Sequence, residues 1–366
     1  MATEISNDLP LLFTPITMRG VTAKNRIVVS PMCQYHSDDG GPTDWQMTHV
    51  GRLAVGGAGI IFGEETGVEA RGRKTYSCAG IWDDKHIAQY RRITDFIRAQ
   101  NAVPAIQLGH AGRKASSYRP GEGRGPRPAG DRAWQTVAAS TVPADDGWPS
   151  PTMLDEAGMA EVKQAFVDAA IRAARIGFDV IELHCAHGYL LHTFLSPLSN
   201  TRNDSYGGSL ENRMRFPLEV FDAVRAVFPE DKPIGVRLSA TDWADGGWNL
   251  EGSVALSAAL KERQCDYICA SSGGLVSYQK IELKPGYQVP FAAEIREKTG
   301  IATMAVGLVT DPVHAESIIA DGAADMVALA RGLLYNPRWA WHASDVLNVE
   351  RPYIPEQYFR GQPERA

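Results

Sequence analysis

The stretch FDVIELHCAHGY, residues 178–189, gives the clearest indication of the fold and also of the chemistry. It begins as a short apolar, β-branched run, which is typical of a buried strand. It ends in two imidazoles and a phenol, His184, His187 and Tyr189, within six residues. Such groups can bind a polar oxygen and donate a proton to a carbon beside a carbonyl. The stretch therefore predicts a strand whose end carries reactive groups.

Seven other apolar runs resemble this strand, and most are followed by a helical pattern. Near-continuous apolar strands that alternate with helices indicate a parallel sheet covered by helices. Eight such units favour a closed barrel, so the predicted fold class is α/β, a TIM (β/α)8 barrel. The eight runs are residues 27–31, 59–65, 103–109, 178–184, 233–239, 266–272, 302–307 and 325–331.

The regions between and after the runs predict the remaining organisation. Residues 162–176 place apolar side chains at helical spacing, and Gly177 follows as a helix-ending glycine. Residues 112–154 are rich in Gly, Pro, Arg and Trp and follow the third strand, so we expect a capping insertion over the barrel mouth. Residues 351–366 form a polar tail. The chain is predicted to be a single domain, residues 1–366.

Composition excludes several classes of partner. The 366-residue chain has a net charge of −6 and no basic run, which argues against nucleic-acid binding. No apolar run approaches the ~18 residues that a membrane span requires, and the first ten residues lack a signal-peptide pattern. The five cysteines are odd in number and widely spaced, which favours a reducing compartment. We predict a cytoplasmic protein.

The strand ends carry polar groups, and in such barrels the chemistry is built from the carboxyl ends of the strands. Gly307 and Arg331-Gly332 follow the last two strands, where this fold commonly binds phosphate. Arg237 adds a positive group, while Gln107 and Ser30 suit the edge of a heterocycle. The strand ends therefore predict a flat, phosphate-bearing heterocyclic cofactor.

Several long motifs resemble the Old Yellow Enzyme family, in particular the bacterial branch that includes YqjM and xenobiotic reductase A. The resemblance extends over nearly the whole chain. It implies a barrel that binds FMN across its mouth. The motifs are NRIVVSPMCQY (25–35), AIQLGHAGRKA (105–115), IELHCAHGYLLHTFLSPLSNTRNDSYGGSLENRMRF (181–216), GVRLSATDW (235–243), ASSGGLV (270–276) and ALARGLLYNP (328–337).

The resemblance also implies cofactor-binding residues. Ser30, Pro31, Met32 and Cys33 would pass along the isoalloxazine, and Gln107 and Arg237 would bind its pyrimidine end. Gly307, Arg331 and Gly332 would hold the phosphate. Glu65 stands where relatives carry a small residue against the flavin. A carboxylate that pointed inward there would lower the flavin potential.

Catalytic and substrate-binding roles follow from the same resemblance. His184 and His187 match the pair that binds the substrate carbonyl oxygen, and Tyr189 matches the proton donor. Cys33 and Tyr35 match residues of this branch that tune the flavin or contact substrate. In the tail, Arg360 matches an arginine that reaches the active site of a neighbouring subunit, which implies a homodimer or homotetramer; Tyr358 or Phe359 could serve instead.

The predicted activity is FMN-dependent reduction of an activated alkene, with NADPH or NADH as reductant in a ping-pong cycle. Substrates would be α,β-unsaturated aldehydes, ketones, imides or nitroalkenes. His184 and His187 could instead be metal ligands, but no further carboxylate or cysteine has suitable spacing, so we expect no metal. The alternative function is a phosphate-binding lyase or isomerase barrel without redox activity.

Overall fold

The computed structural model describes residues 9–349 and 354–361, so residues 1–8, 350–353 and 362–366 lie outside the described chain. Eight parallel strands close into a barrel in which neighbours pair in chain order and the last pairs with the first. Each strand overlaps one of the eight apolar runs, so the predicted TIM barrel is confirmed. The strands are β1 Ile27–Val29, β2 Ile60–Gly67, β3 Val103–Gly109, β4 Val180–Cys185, β5 Ile234–Ser239, β6 Tyr267–Ser271, β7 Ala302–Val306 and β8 Met326–Leu329.

Helices connect the strands and cover the outside of the barrel. The predicted amphipathic helix is α3, whose apolar face is buried and whose end is Gly177 in the left-handed region, with φ of +103°. Its start is capped by Asp155, which accepts a hydrogen bond from the amide of Gly158. The helices are α1 Asp44–Val55, α2 Ile87–Ala99, α3 Glu156–Ile176, α4 Leu190–Leu195, α5 Leu210–Arg225, α6 Leu250–Glu262, α7 Val289–Thr299, α8 Pro312–Ala320, α9 Arg331–Tyr335 and α10 Trp339–Val346.

Apolar side chains fill two layers, one inside the barrel and one between strands and helices. Alternate residues of a strand enter different layers: Ile60 and Phe62 pack inside, whereas Ile61 packs under the helices. A hairpin of strands Ile16–Met18 and Val21–Ala23 places Met18 and Ala23 in the inner layer. Its turn is bonded to Asp231, which precedes β5, so it closes the amino end of the barrel.

The insertion at residues 112–154 lies across the loops of the opposite, carboxyl end. Arg113 donates to the carbonyl of Leu275 at 2.9 Å, and Trp134 donates to the carbonyl of Arg71 at 2.8 Å. The Arg202 guanidinium donates to the carbonyl of Ala139 at 2.9 Å. These contacts join the insertion to the loops after β6, β2 and β4, so it caps the mouth as expected.

The described helices are too short or too polar to cross a bilayer.

Candidate active site

His184 stands near the end of β4 with only 5% of its surface exposed. Its Nδ1 accepts a hydrogen bond from the backbone N–H of Ala186 at 3.2 Å. Because Nδ1 is used as an acceptor, the ring proton resides on Nε2. His184 therefore presents an N–H donor on the side of the ring that faces away from its own backbone.

His187 lies in a tightly turned loop, with φ of +58°, and Gly188 follows with φ of +74°. The His187 amide donates to Oγ of Ser239 at 3.0 Å, and its Nε2 lies 2.8 Å from Oγ of Ser271. These bonds fix the ring and leave Nδ1 as the nitrogen available to a ligand. The two imidazole rings meet edge to face, with centroids 5.2 Å apart.

Tyr189 completes the cluster, because its ring centroid lies 4.7 Å from that of His184. Burial, followed by the carboxyl group of Glu65, raises the pKa of the Tyr189 phenol well above its ordinary value. The phenol is therefore protonated throughout the physiological range. The three residues singled out by the sequence thus lie side by side at one point of the mouth.

Both histidines are uncharged at neutral pH. Burial, with His187 and Arg237 adding to it, brings the pKa of His184 well below its ordinary value. Burial, followed by Arg237, lowers the pKa of His187 to about 3. A neutral imidazole that offers an N–H group, as His184 does through Nε2, can stabilise negative charge that builds up on an oxygen. His187 offers a second N–H in the tautomer in which its Nε2 accepts from the Ser271 hydroxyl and Nδ1 carries the proton. The cluster can therefore bind an oxyanion and supply a proton beside it.

Arg237 and Gln107 face the inside of the mouth and share one partner, Glu182 of β4. Gln107 donates to Oε1 of Glu182 at 2.7 Å, and Nε of Arg237 lies 3.2 Å from the same oxygen. Burial acts to lower the pKa of Arg237, but Cys269 and Glu182 outweigh it and the net shift is upward. Gln107 donates one amide N–H to Glu182, and this orientation leaves its carbonyl oxygen free to accept a hydrogen bond from a ligand.

The segment after β1 runs along the mouth next to Arg237. The amide of Ser30 donates to the carbonyl of Leu329 at 2.9 Å, and the amide of Met32 donates to that of Gly63 at 3.0 Å. Oγ of Ser30 accepts from Arg237 at 3.2 Å. Pro31 and Cys33 are partly accessible from the mouth. The four residues 30–33 are therefore aligned as a wall beside Arg237.

Cys33 and Tyr35 both retain their protons. Burial, followed by Cys78, raises the pKa of the Cys33 thiol well above its ordinary value. Burial, followed by Cys33, raises the pKa of Tyr35. Tyr35 adopts a positive φ of +55°, and the Lys74 ammonium lies 5.8 Å from its ring centroid. Both side chains are thus neutral polar groups.

Gly307 and Arg331 flank the ends of the last two strands. Gly307 has φ of +129°, a backbone conformation that favours glycine, and a Cβ there would also lie 2.8 Å from Nε2 of Gln288. The predicted eighth run extended to Arg331, but β8 ends at Leu329 and Arg331 opens α9. The Arg331 side chain is exposed, and within the described residues no ion pair engages it. Gly332 has no side chain, so a ligand can approach the backbone closely at this position.

Arg360 is the one predicted site residue that the structure leaves apart from the others. It lies exposed in the turn Glu356–Gly361. This turn packs on the outside of the barrel, because the Tyr358 ring lies 5.8 Å from that of Trp341 in α10. Arg338 also lies over the Tyr358 ring, at 4.7 Å. Tyr358 is therefore engaged within its own chain.

Sequence reasoning missed four residues that hold the site together. Glu182 lies two residues before His184, a spacing that places both side chains on one face of β4. Lys114 donates to the carbonyls of His187 and Gly274, and burial, followed by Arg113, lowers its pKa to about 7. His192 and Asp242 form a buried pair below the loop. Because His192 and Asp242 are far apart in the chain, no short stretch of sequence predicts that they pair.

The barrel, with a histidine pair, Arg237 and Gln107 at its mouth, fits a flavin-dependent oxidoreductase. The chain belongs to the NADH:flavin oxidoreductase / NADH oxidase family, whose sequence profile matches residues 11–350. It is an enzyme of the Old Yellow Enzyme type, with FMN as cofactor and a nicotinamide nucleotide as reductant. A lyase or isomerase without redox activity, the alternative left open by the sequence, is inconsistent with this membership.

Curated relatives match over nearly their full length. An NADPH dehydrogenase from Geobacillus thermodenitrificans is 44% identical over 96% of this chain and 98% of its own. One from Bacillus subtilis gives the same three figures. Among solved structures, morphinone reductase has a TM-score of 0.77 at 29% identity, covering 95% of this chain and 92% of its own. An old yellow enzyme homologue from Zymomonas mobilis shares the fold, with a TM-score of 0.77 at 24% identity, over 93% and 94% of the two chains.

Proposed function

We propose that this protein is an ene-reductase, which uses NADPH to reduce the activated C=C bond of α,β-unsaturated aldehydes, ketones, imides or nitroalkenes. The observation that carries the proposal is the cluster of two neutral imidazoles and a protonated phenol, His184, His187 and Tyr189, in one buried site. Reduction of an activated alkene requires stabilisation of an enolate-like oxygen and a proton donor for the α-carbon.

The side chains at the mouth fit FMN as donors and acceptors. Arg237 would attract the negative charge of the reduced cofactor, and the free carbonyl oxygen of Gln107 would accept from a ring N–H. Residues 30–33 would lie along the ring system. Gly307, Arg331 and Gly332 would hold the phosphate, which the exposed Arg331 side chain and the Cβ-free backbone of Gly307 support. FMN, when bound, would carry the hydride from NADPH to the alkene.

The substrate steps then fall to the protein. Nε2–H of His184 and the ligand-facing nitrogen of His187 would bind the substrate carbonyl oxygen and stabilise the charge that develops there. Tyr189 would donate its proton to the α-carbon. Cys33 and Tyr35 would border the substrate as neutral groups. Because nucleotide and alkene would use one site in turn, we expect a ping-pong cycle.

We further propose that the chain forms a homodimer or homotetramer, in which Arg360 enters the mouth of a neighbouring subunit. The proposal is supported by the distance of Arg360 from its own site and by its exposure. Entry into a neighbouring subunit would also give a role to Arg360, since the contacts of this turn with its own chain are made by Tyr358.

The function is tested by separating the two half-reactions under anaerobic conditions. NADPH should bleach the flavin absorbance, and 2-cyclohexen-1-one should restore it and yield cyclohexanone. Cyclohexanone itself, which has the same carbonyl but no C=C bond, should leave the flavin reduced. If the enone also leaves the flavin reduced, this protein is not an ene-reductase. If the enone reoxidises the flavin, a survey of enals, maleimides and nitroalkenes with NADPH and NADH defines the preferred class of substrate and the preferred nucleotide.

A further inference from the structure

Strand β2 ends in two adjacent glutamates, Glu64 and Glu65, and an irregularity decides which of them enters the site. Phe62 pairs with Ala105 of β3, but the next pair is Glu65 with Gln107, so three residues of β2 span two of β3. One extra residue in a strand is a β-bulge, which redirects the side chains beyond it. Since Phe62 points into the barrel, the bulge makes Glu65 the next inward residue, opposite Gln107.

The two carboxyl groups have opposite surroundings. Glu64 accepts from the amide of Gln34 at 2.6 Å and from Nε2 of Gln46 at 3.0 Å. Glu65 is only 4% exposed, and neither of its oxygens has a hydrogen-bond partner within the described residues. Buried polar groups are nearly always hydrogen-bonded. The described residues supply no such partner to Glu65, so a ligand or a bound water has to supply it.

Gly109 shows where the Glu65 carboxyl group lies. A Cβ on Gly109 would overlap Oε1 of Glu65, so the glycine provides the space that this oxygen fills. Gly109 is two residues beyond Gln107 and belongs to the same inward series of β3. The carboxyl group therefore lies over the inner wall of the mouth, next to the Gln107 end of the proposed flavin site.

The ionisable groups around Glu65 come from five elements. Glu64 precedes it in β2, and Lys74 and Cys78 lie in the loop after β2. Cys33 and Tyr35 lie in the segment after β1, Tyr189 follows β4, and Tyr90 belongs to α2. Among these groups only Lys74 lowers the pKa of Glu65. Burial, followed by Glu64, raises that pKa to about 8.

We propose that the Glu65 carboxyl group, which the bulge turns toward the mouth and which has no partner among the described residues, donates a hydrogen bond to the FMN ring system. This inference rests on the FMN placement proposed above. A small residue at this position could not make the contact. A neutral donor draws electron density from the ring and favours the reduced cofactor. The sequence had suggested the opposite effect, a carboxylate that lowers the flavin potential.

The test compares Glu65→Gln, which keeps an N–H donor, with Glu65→Leu, which keeps the volume and removes the donor. FMN dissociation constants are measured by fluorescence on the deflavinated protein, and midpoint potentials by dye equilibration. We expect Glu65→Gln to bind FMN within about twofold of the parent. Glu65→Leu should bind it about three- to tenfold more weakly, the effect of one net hydrogen bond, and with a lower potential.

Protonation is tested by repeating the titration between pH 7 and pH 9. FMN binding by the parent should weaken above pH 8 as the donor ionises, whereas binding by Glu65→Gln should stay level. A matched control is Glu64→Gln, whose side chain faces α1 and should leave FMN affinity at pH 7 unchanged. If Glu65→Leu matches the parent in affinity and potential, the proposed contact is absent.

Stability of the apoprotein separates a ligand contact from a structural one. Because the Glu65 oxygens lack protein partners, apo Glu65→Leu should melt at the same or a higher temperature than the apo parent. A lower melting temperature would show that the carboxyl group has a structural partner and overturn the inference. Gln107→Ala reports on the FMN placement itself: if it weakens FMN while Glu65→Leu does not, only the Glu65 inference fails.

Discussion

Nε2 of His192 lies 3.0 Å from Oδ1 of Asp242, and both side chains are fully buried. Nδ1 of the same ring accepts the backbone N–H of Gly188 at 2.9 Å. The ring proton must therefore reside on Nε2, facing Asp242. Although burial acts to raise the pKa of Asp242, His192, Ser196 and the amide of Trp248 together outweigh it and the net shift is downward. The pair thus anchors Gly188, which stands between His187 and Tyr189.

Asp242→Asn should disturb this anchor without removing volume. Oδ2 of Asp242 accepts from Ser196 at 2.6 Å and from the amide of Trp248 at 2.7 Å, so the carbonyl of asparagine would keep those bonds. Its NH2 would then face the Nε2–H of His192, donor against donor. We expect the alkene half-reaction to slow by about tenfold to a hundredfold as the loop shifts.

The matched control is Asp245→Asn, an exposed aspartate in the same loop, which should leave both half-reactions unchanged. Stopped-flow absorbance at the flavin band measures each half-reaction separately. A melting temperature of Asp242→Asn well below that of the parent would point to a general loss of structure instead of a shifted loop.

Tyr189→Phe should affect only the step that needs a proton. We expect the alkene half-reaction to fall by about 10²- to 10⁴-fold, the usual contribution of a general acid, while reduction by NADPH keeps its rate. Tyr206→Phe, outside the site, is the control, because the Tyr206 hydroxyl contacts Glu219 at 3.3 Å. Full alkene turnover by Tyr189→Phe would refute the assignment of the proton donor.

The buried histidines should make the protein sensitive to acid. The pKa of His187 is about 3 in the folded chain and about 6.5 when unfolded, so the unfolded state binds more protons between these values. The free energy of unfolding therefore decreases as pH falls below 6.5, by up to about 1.4 kcal/mol per pH unit for this group. Urea unfolding from pH 7 to pH 4.5 measures the slope.

His187→Gln should flatten that slope, because the substituted side chain takes up no proton on unfolding. The exposed His36 provides the comparison: His36→Gln should leave the slope as it is in the parent. An unchanged slope in His187→Gln would mean that other groups carry the acid sensitivity.

Gly109→Ala should displace the Glu65 carboxyl group, because the new Cβ would overlap its Oε1. We expect FMN affinity to fall by about three- to tenfold, as in Glu65→Leu. The double variant Gly109→Ala/Glu65→Ala should bind no more weakly than Glu65→Ala alone, since the clash is gone. Fully additive losses in FMN titrations would show that the two positions are not coupled through this contact.

Arg360→Ala should raise KM for the alkene severalfold with a small change in kcat, if the side chain enters a neighbouring site. Arg338→Ala, whose side chain packs over Tyr358 in the same chain, is a control for disturbance of the tail. Mixing Arg360→Ala with Tyr189→Phe tests the neighbour directly. In hetero-oligomers, a site with an intact Tyr189 can receive an intact Arg360 from the other variant, so the activity of the mixture should rise. If the mixture is no more active than the separate variants, Arg360 does not enter a neighbouring site.

The strands and the identity of most rim residues were predictable because each depends on a short stretch of sequence. Apolar runs such as residues 103–109 mark the barrel, and parallel strands necessarily bring their carboxyl ends together. The contacts that orient these residues were not predictable. His192 and Asp242 are fifty positions apart in the chain, and Lys114 is bonded to loops after β4 and β6. Only the closed barrel brings such groups together.

The bulge in β2 also bears on how enzymes of this kind diversify. In a regular strand, the inward position after Phe62 would belong to Glu64, and Glu65 would face the helices. One inserted residue exchanges those two positions while strand pairing resumes beyond it. A barrel can thus change which side chain meets its cofactor through a single insertion or deletion. It need not replace any catalytic group, and the surrounding helices keep their places.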